Sequence, residues 1–564
     1  MAAGPLRIEL RRLETGSISA GGVELVRRAY FAVRDPAWET VEPQVLSRKL
    51  ERNEHGFVLH ARCRYRADAI DLDAELEIAA WDDGHVRFGS TAVATSSFAY
   101  NRIGLCLHHP PAELVGATLQ LDGDQTFEVP SRILPQRRAG ETFAPAVGPF
   151  GRMTVTGSSG ARVEFRFAGD EFELEDQRNW TDGSFKTYGT PLSHGPPPPL
   201  TPGDRLTQSV ELRLLDPPRR RPPTPAVIPE LRLGNEAAIP RIGFAAGSPL
   251  ADIGLAKALR PSHLRVDLRD GRAALDAAIG RAAAQESGIQ LGLHLPLTEA
   301  ERAELAGVQF DGLLRSVLVL HQDVERITGV EDADEARGLV GATGETALLW
   351  TGTDAYYAQL NRGLRPGLGT HLTFSMHPQE HASDEQSIVE TLEIQRDVVL
   401  DLKAKQPGCH VSLGAVTFAR RRNFSAPPGV VVEEPAPDRR QSGRFGAVWT
   451  LASVRYLAEA GVEESTYHSL AGPGGLIDSD GRATPLLRLF ADLAELGNRA
   501  AVLESTAPLA CTGLAFRSAG SLAFLVANLR AEPLRVRLPP AAAAKHGDVL
   551  DLEPHEYVRL EVAQ

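Results

Sequence analysis

A chain of 564 residues with 60 Lys+Arg against 73 Asp+Glu carries a formal charge of −13, is too long for one hydrophobic core, and should divide into roughly two to four domains. The acidic balance argues against nucleic acid and anionic membrane as partners, since both call for a basic face. No stretch approaches the roughly 20 apolar residues that span a bilayer, the N-terminus lacks a charged-then-apolar export signal, and Cys63, Cys106, Cys409 and Cys511 form no Cys-x-x-Cys pair, so the thiols are expected to be reduced and the protein cytoplasmic.

Residues 1–228 read as an antiparallel β-sandwich with a proline-rich linker. Phe57–Tyr65, Ala74–Ile78 and Val163–Phe167 alternate or nearly alternate apolar and polar residues, with Gly, Pro, Asp and Asn between them. Glu173–Tyr188 stands apart. It gathers acids, bases, Asn179, Trp180, Phe185 and Tyr188 with neither period 3.6 nor period 2, so it predicts neither an amphipathic helix nor a half-buried strand, but an ordered polar segment of the kind that lines a site. Gly195–Leu200 reads as a loop before one more strand, Leu206–Leu215. Asp216–Pro225 reads as a semi-rigid linker.

From Arg241 short apolar runs alternate with helical stretches. Eight strands are expected, at Arg241–Ala245, Leu264–Leu268, Ile289–Leu293, Ser316–Leu320, Ala347–Trp350, Leu372–Ser375, Val411–Val416 and Ser465–Tyr467. The clearest helix runs over Glu385–Lys405, with Ser383 as its expected N-cap and Gln386 three residues on. Eight strand–helix units over residues 229–498 predict a (β/α)₈ barrel. A doubly wound open sheet is the rival, but no strand is followed by the Gly-x-Gly-x-x-Gly phosphate loop. Residues 499–564 return to strands and form a small C-terminal β domain.

In such a barrel the reactive groups lie where strands end. That rule selects Asp267, His294, His321-Gln-Asp323, Asp354, the run His377–His381, Arg420–Asn423 and His468. Bland readings stand beside these. Asp267 can pair with Arg265 or Arg269, Asp354 can cap a turn, and His294 and His321 can be hydrogen-bonded structural histidines. Within Arg420–Arg422, one arginine aimed inward suits a carboxylate or oxyanion. His377-Pro-Gln-Glu-His381 has the spelling of an inverted zinc-protease motif, which requires a helix. Pro378 and the preceding strand predict a loop instead.

Taken together, Arg27–Asp35, Arg102–His108, Glu175–Tyr188, Gly352–Tyr357 with Asn361 and Arg362, and Pro378–His381 with Asp384 and Glu390 resemble the D-apionate lactonase family. The resemblance covers the sandwich and the barrel. It implies hydrolysis of the lactone of a branched sugar acid, D-apionolactone, in sugar catabolism, with a small-molecule lactone as partner. Lactone opening needs a base for water, a donor for the tetrahedral oxyanion and an acid for the leaving alkoxide. Asp182 or Asp354 is the expected base, Lys186 or Arg178 the clamp, and His381 the proton donor, the only one of these types that titrates near neutral pH unperturbed. Asp176, Arg178, Asn179, Tyr188, Asp267, Asn361, Arg420 and His468 are the expected substrate contacts, with no metal and no cofactor. The oligomeric state stays open. Against this, Arg178–Lys186 can form a salt-bridged structural buttress. The competing functions are a glycoside hydrolase acting on a short oligosaccharide, a zinc-dependent lactonase, and a non-catalytic sugar-binding protein.

Overall fold

The computed structural model describes residues 1–123, 125–139, 142–144, 146–219, 228–247, 259–424, 436–518 and 520–563. These fall into two compact units. One comprises Met1–Asn179, Gly183–Thr224 and Asn423–Glu433, and the other Trp180–Asp182, Pro225–Arg422 and Glu434–Gln564. Residues 220–225 of the expected linker lie outside the described residues.

The first unit is a sandwich of two nine-stranded antiparallel sheets. One runs from Thr126–Glu128 at one edge to Pro43–Asn53 at the other and contains the expected strands within Gly56–Ala67, Ile70–Trp81 and Arg162–Ala168. Alternation works here as expected: Phe57, Leu59 and Ala61 are buried on one face while His60 and Arg62 face water. The second sheet holds Arg28–Arg34, Arg102–His109, Phe185–Tyr188 and Phe172–Asp176 as neighbours. Apolar residues of both sheets, among them Phe31, Leu105, Phe172, Phe88 and Phe165, share one core.

The polar segment is neither an amphipathic helix nor a half-buried strand. It is a hairpin in which Phe172–Asp176 and Phe185–Tyr188 pair antiparallel, Glu173 opposite Tyr188 and Asp176 opposite Phe185, around a 3₁₀ turn at Gln177–Trp180. Every residue from Phe172 to Gly189 is buried. A strand buried on both faces has no reason to alternate, which is why the period-2 signal was missing.

In the second unit eight parallel strands close a barrel. They are β1 (Arg241–Ala245), β2 (His263–Asp267), β3 (Gly288–Leu295), β4 (Leu314–His321), β5 (Leu348–Gly352), β6 (His371–Met376), β7 (His410–Val416) and β8 (Glu464–Ser469). All eight expected strands are present. Among the described helices are α1 (Arg272–Ala284), α2 (Glu299–Ala306), α3 (Val330–Gly341), α4 (Tyr357–Arg362), α5 (Glu385–Lys405), α6 (Arg444–Glu459) and α7 (Pro485–Leu496). The N-cap of α5 is Asp384 rather than Ser383: its Oδ1 accepts from the Ser387 amide at 3.0 Å, and a carboxylate there also suits the positive end of the helix dipole.

Leu231–Ala238, which precedes β1, pairs antiparallel with Arg499–Ser505 and so opens a five-stranded sheet completed by Cys511–Ser518, Ser521–Asn528 and Tyr557–Ala563. The C-terminal domain thus takes a strand from each side of the barrel. No helix among the described residues is long and apolar enough to cross a membrane.

Candidate active site

The ends of β2, β3 and β5 bring a compact charged cluster together. Arg265 and Asp267 lie two apart on β2, so they point to the same side of the strand. Arg265 donates through Nε to Asp267 Oδ1 at 3.0 Å, through Nη2 to Asp354 Oδ1 at 2.9 Å, and through Nη1 to the Gly414 carbonyl of β7 at 2.8 Å. Arg269 adds bonds of 3.2 and 3.4 Å to the same two carboxylates. Arg421 reaches Asp354 Oδ1 at 2.6 Å. Gly292 of β3 sits opposite Asp267 in register. A Cβ there would lie 2.2 Å from Asp267 Oδ1, so only glycine admits the carboxylate.

Burial alone would raise the pKa of Asp354, but Arg421 and then Arg265 outweigh it and hold the carboxyl well below the usual range. Burial likewise opposes ionisation of Asp267, and Arg265 again reverses the sign. Both are therefore carboxylates at neutral pH. Three arginines against two carboxylates leave the cluster with one surplus positive charge.

His294, near the end of β3, is 6% exposed. Its Nε2 lies 3.8 Å from Asp354 Oδ2 and 3.9 Å from Asp267 Oδ2, beyond hydrogen-bond distance, and neither ring nitrogen has a hydrogen-bond partner among the described residues. Asp267, His294 and Asp354 each offer one ligand atom within 4.8 Å of the others, a spacing open to a metal ion. The arginines already on those carboxylates oppose a dication there.

A second group lies on the loop after β6. The loop is not helical, so His377 and His381 are not presented as the zinc-protease spelling requires. His377 Nε2 instead pairs with Glu380 Oε2 at 3.1 Å. Burial works against the Glu380 charge, but that bond and the His377 charge bring its pKa down to about 2. His381 Nδ1 makes a short hydrogen bond to Asp182 Oδ2. Asp182 belongs with Trp180 and Thr181 to the barrel unit, and the Trp180 ring stands edge-on to His381 and to Tyr356, at 6.2 and 6.3 Å. Tyr356, two residues beyond Asp354, packs on His377 at 4.7 Å and donates its hydroxyl to the Arg422 carbonyl at 3.0 Å. Gln379 holds the loop by donating to the Phe418 carbonyl and to Asp438.

The other expected residues lie elsewhere. In the sandwich unit, Arg178 clasps both oxygens of Asp176 and donates to the Ser131 and Arg132 carbonyls, and Asn179 donates to the Leu134 and Asp176 carbonyls. These bonds pin the 3₁₀ turn to residues 131–134. The Lys186 ammonium lies 3.6 Å from Glu175 and 5.1 Å from the Tyr188 ring; burial lowers its pKa. Asn361 on α4 accepts from Lys405 at the end of α5. Arg420 lies within electrostatic range of Glu380 and Tyr356. His468 turns to the helix side: a register shift in β8 skips it, its φ is 37°, and its Nε2 is 3.0 Å from Thr450 on α6. Burial there pushes its pKa down to about 3.

The sequence names Arg265 and Arg269 only as partners of Asp267, and it offers Arg421, Glu380 and Tyr356 only as members of the runs Arg420–Asn423, His377–His381 and Gly352–Tyr357, with no role of their own. The Arg-x-Asp-x-Arg spacing of residues 265–269 carried the signal for the first two. Nothing in sequence distinguishes Arg421 from its two arginine neighbours.

A barrel whose strand ends gather acid–base side chains is the framework of an enzyme. Three family models match along the chain: the N-terminal, TIM-barrel and C-terminal immunoglobulin-like domains of D-apionate lactonase, over residues 1–217, 245–498 and 508–560. The chain belongs to the D-apionate lactonase family and is an enzyme of its lactone-hydrolysing class. A relative from Brucella anthropi named D-apionate lactonase is 28% identical over 525 residues, covering 86% of this chain and 84% of its own. Among solved structures, CelM2, a bifunctional glucanase-xylanase protein from a metagenome library, aligns with 60% of this chain and all of its own at 11% identity and a TM-score of 0.40. A beta-arabinopyranosidase aligns with 100% of this chain and 98% of its own at 11% identity and a TM-score of 0.29.

Proposed function

We propose that the chain opens a sugar-acid lactone, D-apionolactone or a close relative, to the free hydroxy acid in sugar catabolism. The observation that carries this reading is the Asp182–His381 hydrogen bond, on a barrel loop neighbouring the Asp267–Asp354 cluster. An aspartate on Nδ1 fixes the imidazole tautomer and leaves Nε2 to exchange a proton. His381 Nε2 takes a proton from water as its oxygen bonds to the lactone carbonyl carbon. The surplus positive charge, presented by the partly exposed Arg269 and Arg421, favours the oxyanion that forms. The ring C–O bond then breaks and the departing alkoxide takes up a proton.

In this reading Asp267 and Asp354 hold the arginines rather than act as bases, because an efficient base has a pKa near the working pH and both are lowered. Asp176, Arg178 and Asn179 hold one another and residues 131–134 within the sandwich unit. Glycoside hydrolysis fits less well, since it needs one carboxylic acid kept protonated, and Asp267, Asp354 and Glu380 all have lowered pKa values. Four free, buried cysteines fit a cytoplasmic setting.

The test is a pH-stat assay of the purified chain against four- and five-carbon aldonolactones, D-apionolactone included. Acid release from D-apionolactone or a close relative is expected, and it should be lost in His381→Gln. A wild-type chain that opens none of the panel, or releases sugar from glycosides instead, ends the proposal.

A further inference from the structure

His294 is a buried polar group that the mechanism above leaves unused. A buried imidazole with neither nitrogen hydrogen-bonded has lost its water without replacement, and such a group calls for an explanation. It stands at a barrel strand end, where reactive groups gather, within 4 Å of two carboxylates that three arginines keep ionised. A structural histidine would be hydrogen-bonded, and this one is not. A metal-binding histidine would sit in a site of negative charge, and this cluster has a positive surplus.

We infer that His294 is the general acid of the lactone-opening reaction, giving its Nε2 proton to the ring oxygen as the C–O bond breaks. The inference rests on the proposed function and divides its proton transfers between two histidines. An imidazole working as a base relies on an acceptor at its opposite nitrogen, which His381 has in Asp182 and His294 lacks. One water proton goes to His381. The tetrahedral intermediate collapses with its electron pair leaving on the ring oxygen, and the proton from His294 neutralises that alkoxide. The new carboxyl ionises. His381 then returns its proton to solvent and His294 regains one, so the balance is lactone plus water to hydroxy-carboxylate plus one proton. Donation leaves a neutral ring beside two carboxylates whose charge the three arginines already exceed. The gaps of 3.8 and 3.9 Å are of the kind that tighten when substrate binds.

The experiment compares wild type, His294→Gln and His294→Asn on the aldonolactone the wild type opens and on dihydrocoumarin, a lactone whose phenolate leaves without needing a proton. The expected result is a loss of about 10²–10⁴-fold in kcat on the aldonolactone and a change within about threefold on dihydrocoumarin. The alkaline limb of the kcat–pH profile on the aldonolactone should also disappear, in either variant. Equal losses on both substrates, an unchanged profile, or full activity on the aldonolactone overturn the inference. So does stoichiometric zinc in the wild type that His294→Gln releases together with activity, which would make the cluster a metal centre. These outcomes are distinct from failure of the proposed function, in which the wild type itself opens no aldonolactone.

Discussion

Asp182 and His381, 199 residues apart in the chain, share a hydrogen bond between a carboxylate oxygen and Nδ1. The bond ties Asp182 to the loop after the sixth barrel strand, both within the barrel unit. If it sets the tautomer of His381, Asp182→Asn keeps the shape of the contact but lets an amide donate to Nδ1, which turns the proton toward Nε2 and removes the basic lone pair. The expected outcome is a drop in kcat on the order of 10²–10⁴ with little change in KM. A variant that turns over within a factor of about two of wild type would show that Asp182 plays no part in proton transfer.

Arg265 is the keystone of the cluster, since it alone bonds Asp267, Asp354 and the far wall of the barrel at Gly414. Burial disfavours charge on Arg265, yet the two carboxylates more than compensate and raise its pKa. Removing one member of a buried ionic group leaves the others uncompensated, so Arg265→Ala should cost about 3–5 kcal/mol. Urea unfolding of the isolated variant measures this. Arg265→Lys should recover only part, because an ammonium cannot reproduce three directed bonds from one planar fork.

The eight barrel strands were legible in the sequence because each is a short apolar run between helical stretches, a pattern that survives without tertiary information. The hairpin around Trp180 was not. Its residues answer to neighbours on both faces of a sheet, so Glu173, Glu175 and Lys186 occupy positions where a one-faced strand would alternate. The charged cluster was half legible. The strand-end rule pointed to Asp267 and Asp354, but Arg421 reaches Asp354 from beyond β7, a distance in sequence that no local pattern encodes. His468 shows the opposite failure: its strand-end position was read correctly, and the register shift in β8 then turned its ring to Thr450.

Two buried histidines make stability depend on pH. Burial alone pushes His109 down to about 4, and its Nε2 bonds Thr187 at 2.8 Å within the sandwich; His468 is pushed down to about 3. In the unfolded chain both titrate near 6.5. Between pH 6.5 and about 4 the unfolded state thus binds more protons than the folded one, and stability falls as pH falls. Each histidine contributes its full stabilising share above pH 6.5 and loses about 1.4 kcal/mol per pH unit below it. The melting temperature should fall steadily from pH 7 to pH 4.5. A flat profile over that range would mean that both rings reach water.

The four cysteines are free and buried, and burial raises the thiols of Cys63 and Cys511 to about 11. Because the thiolate is the reactive form, a disulfide reagent added at pH 7.5 should titrate almost none of them in the native protein and all four in strong denaturant. Rapid native labelling would show that one of them opens to solvent.

Arg421 separates binding from structure at the site mouth. Its side chain is 28% exposed and bonds Asp354 through a single nitrogen, so part of its fork faces outward. If that face meets the developing oxyanion, it also meets the carboxylate of the product, and the hydroxy acid should inhibit competitively. In Arg421→Met the lost donor weakens the transition state more than the neutral substrate, so kcat should fall by about 10²–10³ while KM moves little. The product inhibition constant should rise in parallel. Asp354 keeps Arg265 and Arg269 as partners, so the fold should survive the change, and the unfolding midpoint provides that check. A variant with unaltered product inhibition would place the reacting carbonyl elsewhere on the rim and remove Arg421 from the mechanism.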